Sequence, residues 1–413
     1  MKNIGMVLQS DFPPDIRVEK EAKALLEAGY NVFILAEQHK GQKREEVVKG
    51  ARVRRVKITT KYSYKKLQSL RFYFAFKSSL WEREIEKMIS DSGIEILHIH
   101  DLPLVRTGIE VAKKKNLPIV ADLHENYPEA LRVWKVNNKK TKIKDFFLSP
   151  LKGFKRWENY ERKCVGEVDK IIVVVGEAKE RLLKYGISGK KITVVSNVVD
   201  IDNFTNIDTD ENIIQKYRNN FMISYIGGFG PHRGIDCATE AMRYLKGSIE
   251  EIRMVLVGDK NKNYMEVLKQ IAIRHGVYDL IDFVGWQPFE KIPSYIRASD
   301  VCLVPYNKNP HTDAALPHKL FQYMLEGKPV VVSSCKRLKR VIEETNSGLV
   351  FEAGNEKELA DKIIDLYKNE NLRRELGKNG KKAVQGRYNW QKESRKLINL
   401  YRELDNYHRG KEV

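Results

Sequence analysis

Three groups of residues in this sequence have the types and spacing to do chemistry. The first lies in residues 221–236, FMISYIGGFGPHRGID. An apolar, β-branched run ends at Ile226, Gly227 and Gly228 follow, and after Arg233 and Gly234 the residues Ile235, Ala238, Met242 and Leu245 recur at helical spacing. A strand, a glycine turn and a helix start gather unpaired backbone N–H groups and the positive end of a helix dipole, which suits an anion. Arg233 adds a fixed cation there. The second group lies in residues 312–330, where Pro317 is placed to open a helix and Gly327 to end it. His318 and Lys319 then fall in the first turn, and Gln322 shares a face with His318 at i, i+4 spacing. Two helix starts furnished with positive charge fit a ligand carrying two phosphates. The third group is polar and gathers at the ends of strand-like runs: His98, His100 and Asp101 at the end of residues 94–99 and just beyond, and Asp122, His124, Glu125 and Asn126 after residues 118–121. Open α/β sheets bind ligands just beyond such strand ends.

The elements that must carry these residues alternate. Strand-like runs at residues 4–8, 32–36, 53–58, 94–99, 118–121, 171–175 and 192–195 are separated by helical patterns, among them 16–28 and 104–115. The same rhythm resumes after the focal strand with runs at 254–257, 281–284, 301–304 and 330–332. Such alternation predicts a parallel, doubly wound sheet, and 413 residues are too many for one core. A polar stretch at residues 200–211 reads as the linker. The expected division is residues 1–200 with a C-terminal helix, 389–413, folding back onto them, and residues 201–388 as a second domain. Two such halves would face one another across a cleft.

Charge is uneven. The formal net charge is +19, and residues 49–87 hold 12 Lys/Arg against 3 Glu while residues 135–163 hold 10 against 3 acids. These two segments account for 16 of the 19 charges. Both are rich in aromatics: Phe72, Tyr73, Phe74, Phe76 and Trp81 in one, Phe146, Phe147, Phe154, Trp157 and Tyr160 in the other. Leu67, Leu70, Phe74, Trp81, Ile85 and Met88 form a core-facing stripe, whereas the remaining aromatics fit either packing or an anionic lipid interface. Charge alone would also admit nucleic acid, but no nucleic-acid module is visible, so none is expected as a partner. No apolar run approaches the roughly 20 residues that span a bilayer, and the N-terminus enters a strand with no secretory apolar region. Cys164, Cys237, Cys302 and Cys335 lie far apart and read as buried free thiols. A cytoplasmic protein, peripheral on the inner membrane face, is the expectation.

With these motifs in order, the chain resembles the retaining glycosyltransferases of family 4, which have the GT-B fold. The resemblance covers nearly the whole length. It is carried by the glycine turn 227–234, by Pro317-His-Lys-Leu-Phe-Gln-Tyr-Met324 with Gly327-Lys-Pro-Val330, and by the stretches 300–305, 196–200 and 122–125. It implies that Arg233 and Lys319 hold the diphosphate of a nucleotide sugar, UDP- or GDP-linked. The turn residues Gly227, Gly228 and Phe229 and the first-turn residues His318 and Leu320 would supply close backbone, with Gln322 at the ribose and Val284 near the base. His124 would touch the donor sugar from the first half. No metal is expected, and the acceptor would be lipid-linked or a glycan, in the synthesis of a cell-surface polysaccharide or glycolipid.

The chain departs from the family pattern at defined positions. The paired glutamates, eight positions apart, are Ala314 and Gln322 here, and the arginine after the first turn glycine is Gly228. Asp313 is the neighbour able to replace the first glutamate, and Arg17 the residue able to supply the missing cation. The missing carboxylates also admit a non-catalytic glycan- or membrane-binding GT-B protein. A GT-B nucleotide-sugar epimerase is a further alternative, and would need acid and base carboxylates.

Overall fold

The computed structural model describes residues 2–58, 72, 75–136, 153–258 and 262–409. The chain forms two compact units, residues 1–196 with 393–413, and residues 197–392.

In the first unit, eight strands lie in the order β3-β4-β2-β1-β5-β6-β7-β8. They are β1 (Asn3–Asp11), β2 (Asn31–Glu37), β3 (Glu45–Val48), β4 (Ala51–Val56), β5 (Ile96–His100), β6 (Ile119–Leu123), β7 (Lys170–Val173) and β8 (Ile192–Val194). All neighbours pair in parallel except β3 with β4. The second strand of that hairpin overlaps the strand-like run at residues 53–58, whereas β3 lies outside the strand-like runs read from the sequence. The hairpin turn is Lys49-Gly50 with φ of 48° and 89°, the backbone that a two-residue hairpin loop requires. The central strands are buried throughout, as parallel strands covered on both faces must be.

The C-terminal helix, Trp390–Arg409, returns to this unit. Tyr401 is fully buried and its hydroxyl lies 2.6 Å from Nδ1 of His98. Tyr30 donates to Asp405 at 2.8 Å.

In the second unit, six strands lie in the order β11-β10-β9-β12-β13-β14, all parallel. They are β9 (Phe221–Ile226), β10 (Ile252–Val257), β11 (Ile281–Gly285), β12 (Val301–Val304), β13 (Val330–Ser333) and β14 (Gly348–Phe351). In chain order this is the doubly wound pattern 3-2-1-4-5-6, whose direction of winding reverses between β9 and β12. Residues 200–211, expected as a linker, fall inside this unit. They carry the short helix Ile201–Thr205, capped by the Asp200 side chain, and Asp210 caps the next helix. Asp and Asn are abundant there because they cap helices, not because the chain is unstructured.

The aromatics of the basic segments divide. Phe76, Trp81, Trp157 and Tyr160 are buried in the core of the first unit. Phe76 stacks on Tyr160 with ring centroids 3.9 Å apart and meets Trp157 edge-on at 4.8 Å. The Tyr160 hydroxyl donates to the Leu102 carbonyl at 3.1 Å. For these residues the apolar surface goes to protein packing and not to a lipid interface. Leu67, Leu70, Tyr73, Phe74, Phe146 and Phe147 lie outside the described residues. The four cysteines are free and buried. Among the described residues no helix is long and apolar enough to cross a membrane.

Trp157→Ala should therefore lower unfolding free energy by about 3–5 kcal/mol, the range for emptying a large aromatic site. Urea denaturation reads it, and an unchanged midpoint would show that the ring does not carry this core.

Candidate functional site

In the second unit the winding reverses between β9 and β12, so their C-terminal ends leave a crevice that no crossover covers. Beyond β9, Gly227 has φ of +134°, a backbone that side chains rarely adopt. A Cβ at Gly227 would come within 2.8 Å of Cε of Lys319. Gly258, beyond β10, packs so closely that its Cβ would lie 2.7 Å from the Gly227 carbonyl carbon. Above Gly228 the space is open to 4 Å. Two tyrosines fix this turn. The Tyr323 hydroxyl accepts from the Ile226 N–H at 2.8 Å, and the Tyr225 hydroxyl donates to the Gly228 carbonyl at 2.8 Å.

The helix His318–Leu325 starts at Pro317, with no side chain capping it. Its first N–H groups have no acceptor within the helix, as at any helix start. Lys319 carries its ammonium to 3.6 Å from the Tyr225 ring centroid. There Nζ is shielded from solvent and has no hydrogen-bond partner among the described residues. Burial, and behind it the charge of Arg233, holds the Lys319 pKa well below the usual lysine range. Arg233 lies over the Tyr306 ring, 4.8 Å from its centroid, and donates to the Tyr306 hydroxyl. His232 and His311 meet edge to face beside these cations, with centroids 5.9 Å apart.

The first unit holds a second polar cluster at the ends of β5 and β6. Asp15 caps the helix Ile16–Glu27 by accepting from the N–H groups of Arg17 and Val18. Arg17 then reaches Asp122 with both arms, Nε to Oδ2 at 3.1 Å and Nη2 to Oδ1 at 2.9 Å. It also donates to the Val195 carbonyl at 3.1 Å and pairs with Glu21 at 2.9 Å. His124 Nε2 lies 3.0 Å from Asp122 Oδ2, and its Nδ1 lies 3.6 Å from Asp101. His100 Nδ1 lies 3.2 Å from His124 Nε2, and its ring stacks on His98 at 4.2 Å.

The cluster sorts its protons by environment. Burial opposes charge on Asp122, but Arg17 and His124 outweigh it and hold the carboxylate well below its usual range. Burial likewise opposes charge on His124, yet Asp101 and Asp122 push it up to about 10. His98 is lowered by burial, and His100 is lowered to about 3 by burial and by His98. Glu21, fully buried, is pushed up to about 8 by burial against the pull of Arg17. Ligand atoms of Glu21, His98, His100 and Asp122 lie within 4.8 Å of one another. A metal ion could use such a set, but the Arg17 guanidinium already serves the Asp122 carboxylate as its cation.

Of the residues singled out by sequence, Gly227, Gly228, Phe229, Arg233, His318 and Lys319 gather at the glycine turn and the facing helix start. Gln322 is buried one turn along that helix, and Val284 is half-buried in β11. Leu320 packs in the core, and its N–H donates to the Pro317 carbonyl at 3.1 Å. Asp313 accepts from the N–H of Lys336 at 2.9 Å, so one carboxylate oxygen already holds the start of the next helix. Arg17, expected as a phosphate cation, is 4% exposed and is instead the counter-ion of Asp122. His124 stands at the end of β6 as expected. Sequence reading passed over Glu21, Tyr225, Tyr306, Tyr323, His232 and His311. An i, i+4 Arg17–Glu21 pair on a helix start is a legible signal, whereas the tyrosines meet only through the fold.

Residues 206–383 match the family model described as glycosyl transferases group 1, and residues 16–203 match glycosyltransferase family 4. An uncharacterised glycosyltransferase of Methanocaldococcus jannaschii is 24% identical over 243 residues, 58% of this chain and 60% of that protein. The phosphatidyl-myo-inositol mannosyltransferase of Mycobacterium leprae is 22% identical over 321 residues, 77% of this chain and 75% of its own. Among solved structures, sucrose-phosphate synthase from Thermosynechococcus elongatus has a TM-score of 0.79 at 16% identity, covering 98% of this chain and 100% of that one. Anabaena HepE, solved with UDP-glucose, has a TM-score of 0.72 at 15% identity with the same coverage.

The first-unit cluster makes a prediction about stability. Native Glu21 keeps its proton to about pH 8, while the unfolded chain loses it in the ordinary carboxylate range. The native state thus binds more protons between those values, and this residue's share of stability falls as pH rises through the window. Glu21→Gln should flatten that fall relative to wild type. Asp122→Asn should instead cost about 3–5 kcal/mol by leaving Arg17 buried without its partner. Denaturation at about pH 5 and about pH 8 reads both, and an identical pH response in Glu21→Gln and wild type contradicts the protonated Glu21.

Proposed function

Since the chain belongs to glycosyltransferase family 4 and has the GT-B fold, we propose that it moves a sugar from a nucleotide-sugar donor to a lipid-linked or glycan acceptor with retention of configuration. One observation carries the reading. At the glycine turn Lys319, in the first turn of an uncapped helix, buries its amine with no hydrogen-bond partner among the described residues and within the electrostatic reach of Arg233. Burial disfavours the charged form of this amine, and an anion beside it would favour that form. A diphosphate supplies one. The UDP-glucose bound by HepE and the lipid named in the mycobacterial relative support the choice of donor class and acceptor class.

In the same-face mechanism the acceptor hydroxyl attacks the anomeric carbon as the bond to the diphosphate oxygen breaks. The departing phosphate takes the hydroxyl proton, so no carboxylate is needed for that transfer. The protein positions the two substrates and stabilises charge growing on the diphosphate. Arg233, Lys319 and the N–H groups of His318 and Lys319 serve that charge without a metal ion. From the first unit His124, cationic and held by Asp122 and Asp101, offers a donor to the sugar. A peripheral position on an anionic membrane surface, through the basic segments before residue 165, would bring a lipid-linked acceptor to the site.

A second reading rests on the placement of Asp313. With Ala314 and Gln322 at the family's glutamate positions and Asp313 bonded to Lys336, the donor half lacks an unengaged acid at those positions. A nucleotide- or glycan-binding protein without turnover fits that composition. Donor hydrolysis with a panel of UDP- and GDP-linked sugars separates the two: release of free sugar supports the enzyme, and tight binding without release supports the binder.

For the leading reading, Arg233→Ala and Lys319→Ala should each weaken donor binding by about 1.5–3 kcal/mol, the range for hydrogen bonds to charged groups. Calorimetry with the donor that wild type accepts reads this. Unchanged affinity in both variants removes the diphosphate from these residues.

A further inference from the structure

The histidine pair at the glycine turn has no part in the reaction described above, although it stands among the residues assigned to the diphosphate. His232 lies in the single turn Pro231–Arg233, whose position is fixed from outside. Asn307 donates its N–H to the His232 carbonyl at 3.2 Å and its side-chain amide to the Pro231 carbonyl at 2.7 Å. His311 lies in the turn Pro310–Asp313, where the Asn309 side chain accepts from the N–H groups of His311 and Thr312, each at 3.0 Å. Both rings are therefore carried on pinned backbone. They meet edge to face at 69°, and Nδ1 of His232 is shielded from solvent with no hydrogen-bond partner among the described residues.

The charges that face these rings come from three directions. Arg233 follows His232 in the same turn and lies against Tyr306, while Lys319 comes from the facing helix start. Asp313, on the same turn as His311, is bonded to the Lys336 N–H instead. Burial lowers both imidazoles to about 4, helped by Arg233 in each case and, for His232, by His311 and Lys319. In the donor-free protein near neutral pH both rings are neutral, beside the fixed cation of Arg233.

We propose that His232 and His311 form a proton-accepting edge of the diphosphate site, so that a proton enters the protein with each donor. This rests on the nucleotide-sugar reading of the same site. The diphosphate group brings a negative charge on each phosphate into the space between Arg233 and Lys319. The phosphate charges then offset the repulsion, and an imidazole that was held neutral gains a favourable partner for its charged form. One ring, now an imidazolium, donates a hydrogen bond that neither cation supplies. The linkage has a definite direction. A group that binds its proton more tightly in the complex strengthens donor binding as pH falls through its raised value, by up to about tenfold per pH unit for each proton.

Titration calorimetry of the full chain with UDP-glucose, UDP-N-acetylglucosamine and GDP-mannose tests this, in buffer pairs of different ionisation enthalpy. These donors lack a phosphate that itself titrates near neutrality, so the buffer dependence of the heat counts protons taken by the protein. For a donor that binds, the part of the uptake that depends on the histidines, wild type less variant, should approach about one proton near pH 6 and vanish toward pH 8. H232Q and H311Q, each checked for a wild-type unfolding transition, should reduce that uptake and flatten the pH dependence of affinity. Binding with no uptake overturns the inference and leaves the proposed function standing. Uptake that persists in both variants assigns the proton elsewhere and also overturns it. Failure of every donor to bind at any pH overturns the proposed function and this inference together.

Discussion

Lys319 brings its ammonium against the Gly227 backbone and the face of Tyr225, in a place where water does not reach it and no hydrogen-bond partner among the described residues meets it. Burial disfavours the charge of an amine so placed, the ring quadrupole beneath it favours that charge, and the side chain would relax away if its surroundings allowed. They do not. The helix that carries it is packed through Leu320, Phe321, Tyr323 and Met324, all fully buried, so the lysine stem has a fixed origin. Gly227 leaves room for the amine because it has no side chain, and Gly258 holds the Gly227 carbonyl from the other side. Tyr323 and Tyr225 fasten the two ends of the turn. Much of the architecture of the second unit beyond β9 holds this amine against the glycine turn.

The first unit solves the opposite problem. Its buried charges are matched inside the protein: Asp122 meets Arg17 with both oxygens and also meets His124, while Glu21 keeps its proton and His98 and His100 remain neutral. Buried ion pairs of this kind are weak sources of net stability, because desolvation offsets much of the attraction. Their effect is to hold orientation. His124 is presented at the end of β6 as a cation, and the C-terminal helix joins the arrangement by placing the Tyr401 hydroxyl against His98.

The sequence made the second site legible where function and local structure use the same residues. The glycine turn, the proline that opens a helix, and the lysine and arginine beside them are local patterns, and each stands where its pattern implies. The doubly wound alternation was equally readable, because parallel strands must be apolar on both faces. Misreadings arose where one composition has two physical uses. The Asp- and Asn-rich stretch at residues 200–211 caps helices but has the composition of a linker. The aromatics near Lys77 and Arg156 fit either packing or a lipid interface by their pattern, and those described in the core fill it. Arg17 reads as a free cation until the fold brings Asp122 to it across more than a hundred residues. The tyrosines and the histidine pair carry no local signature, since each acts through a partner distant in sequence.

The central claim is that Lys319 is held discharged-leaning and waiting for an anion. Its side-chain titration can be followed by NMR of the lysine-labelled protein, with the resonance assigned by its loss in Lys319→Met. The account predicts a midpoint well below the ordinary lysine value of about 10.4 in the free protein, moving upward when a nucleotide sugar binds. A midpoint at the ordinary value, unmoved by a donor that binds, would contradict it.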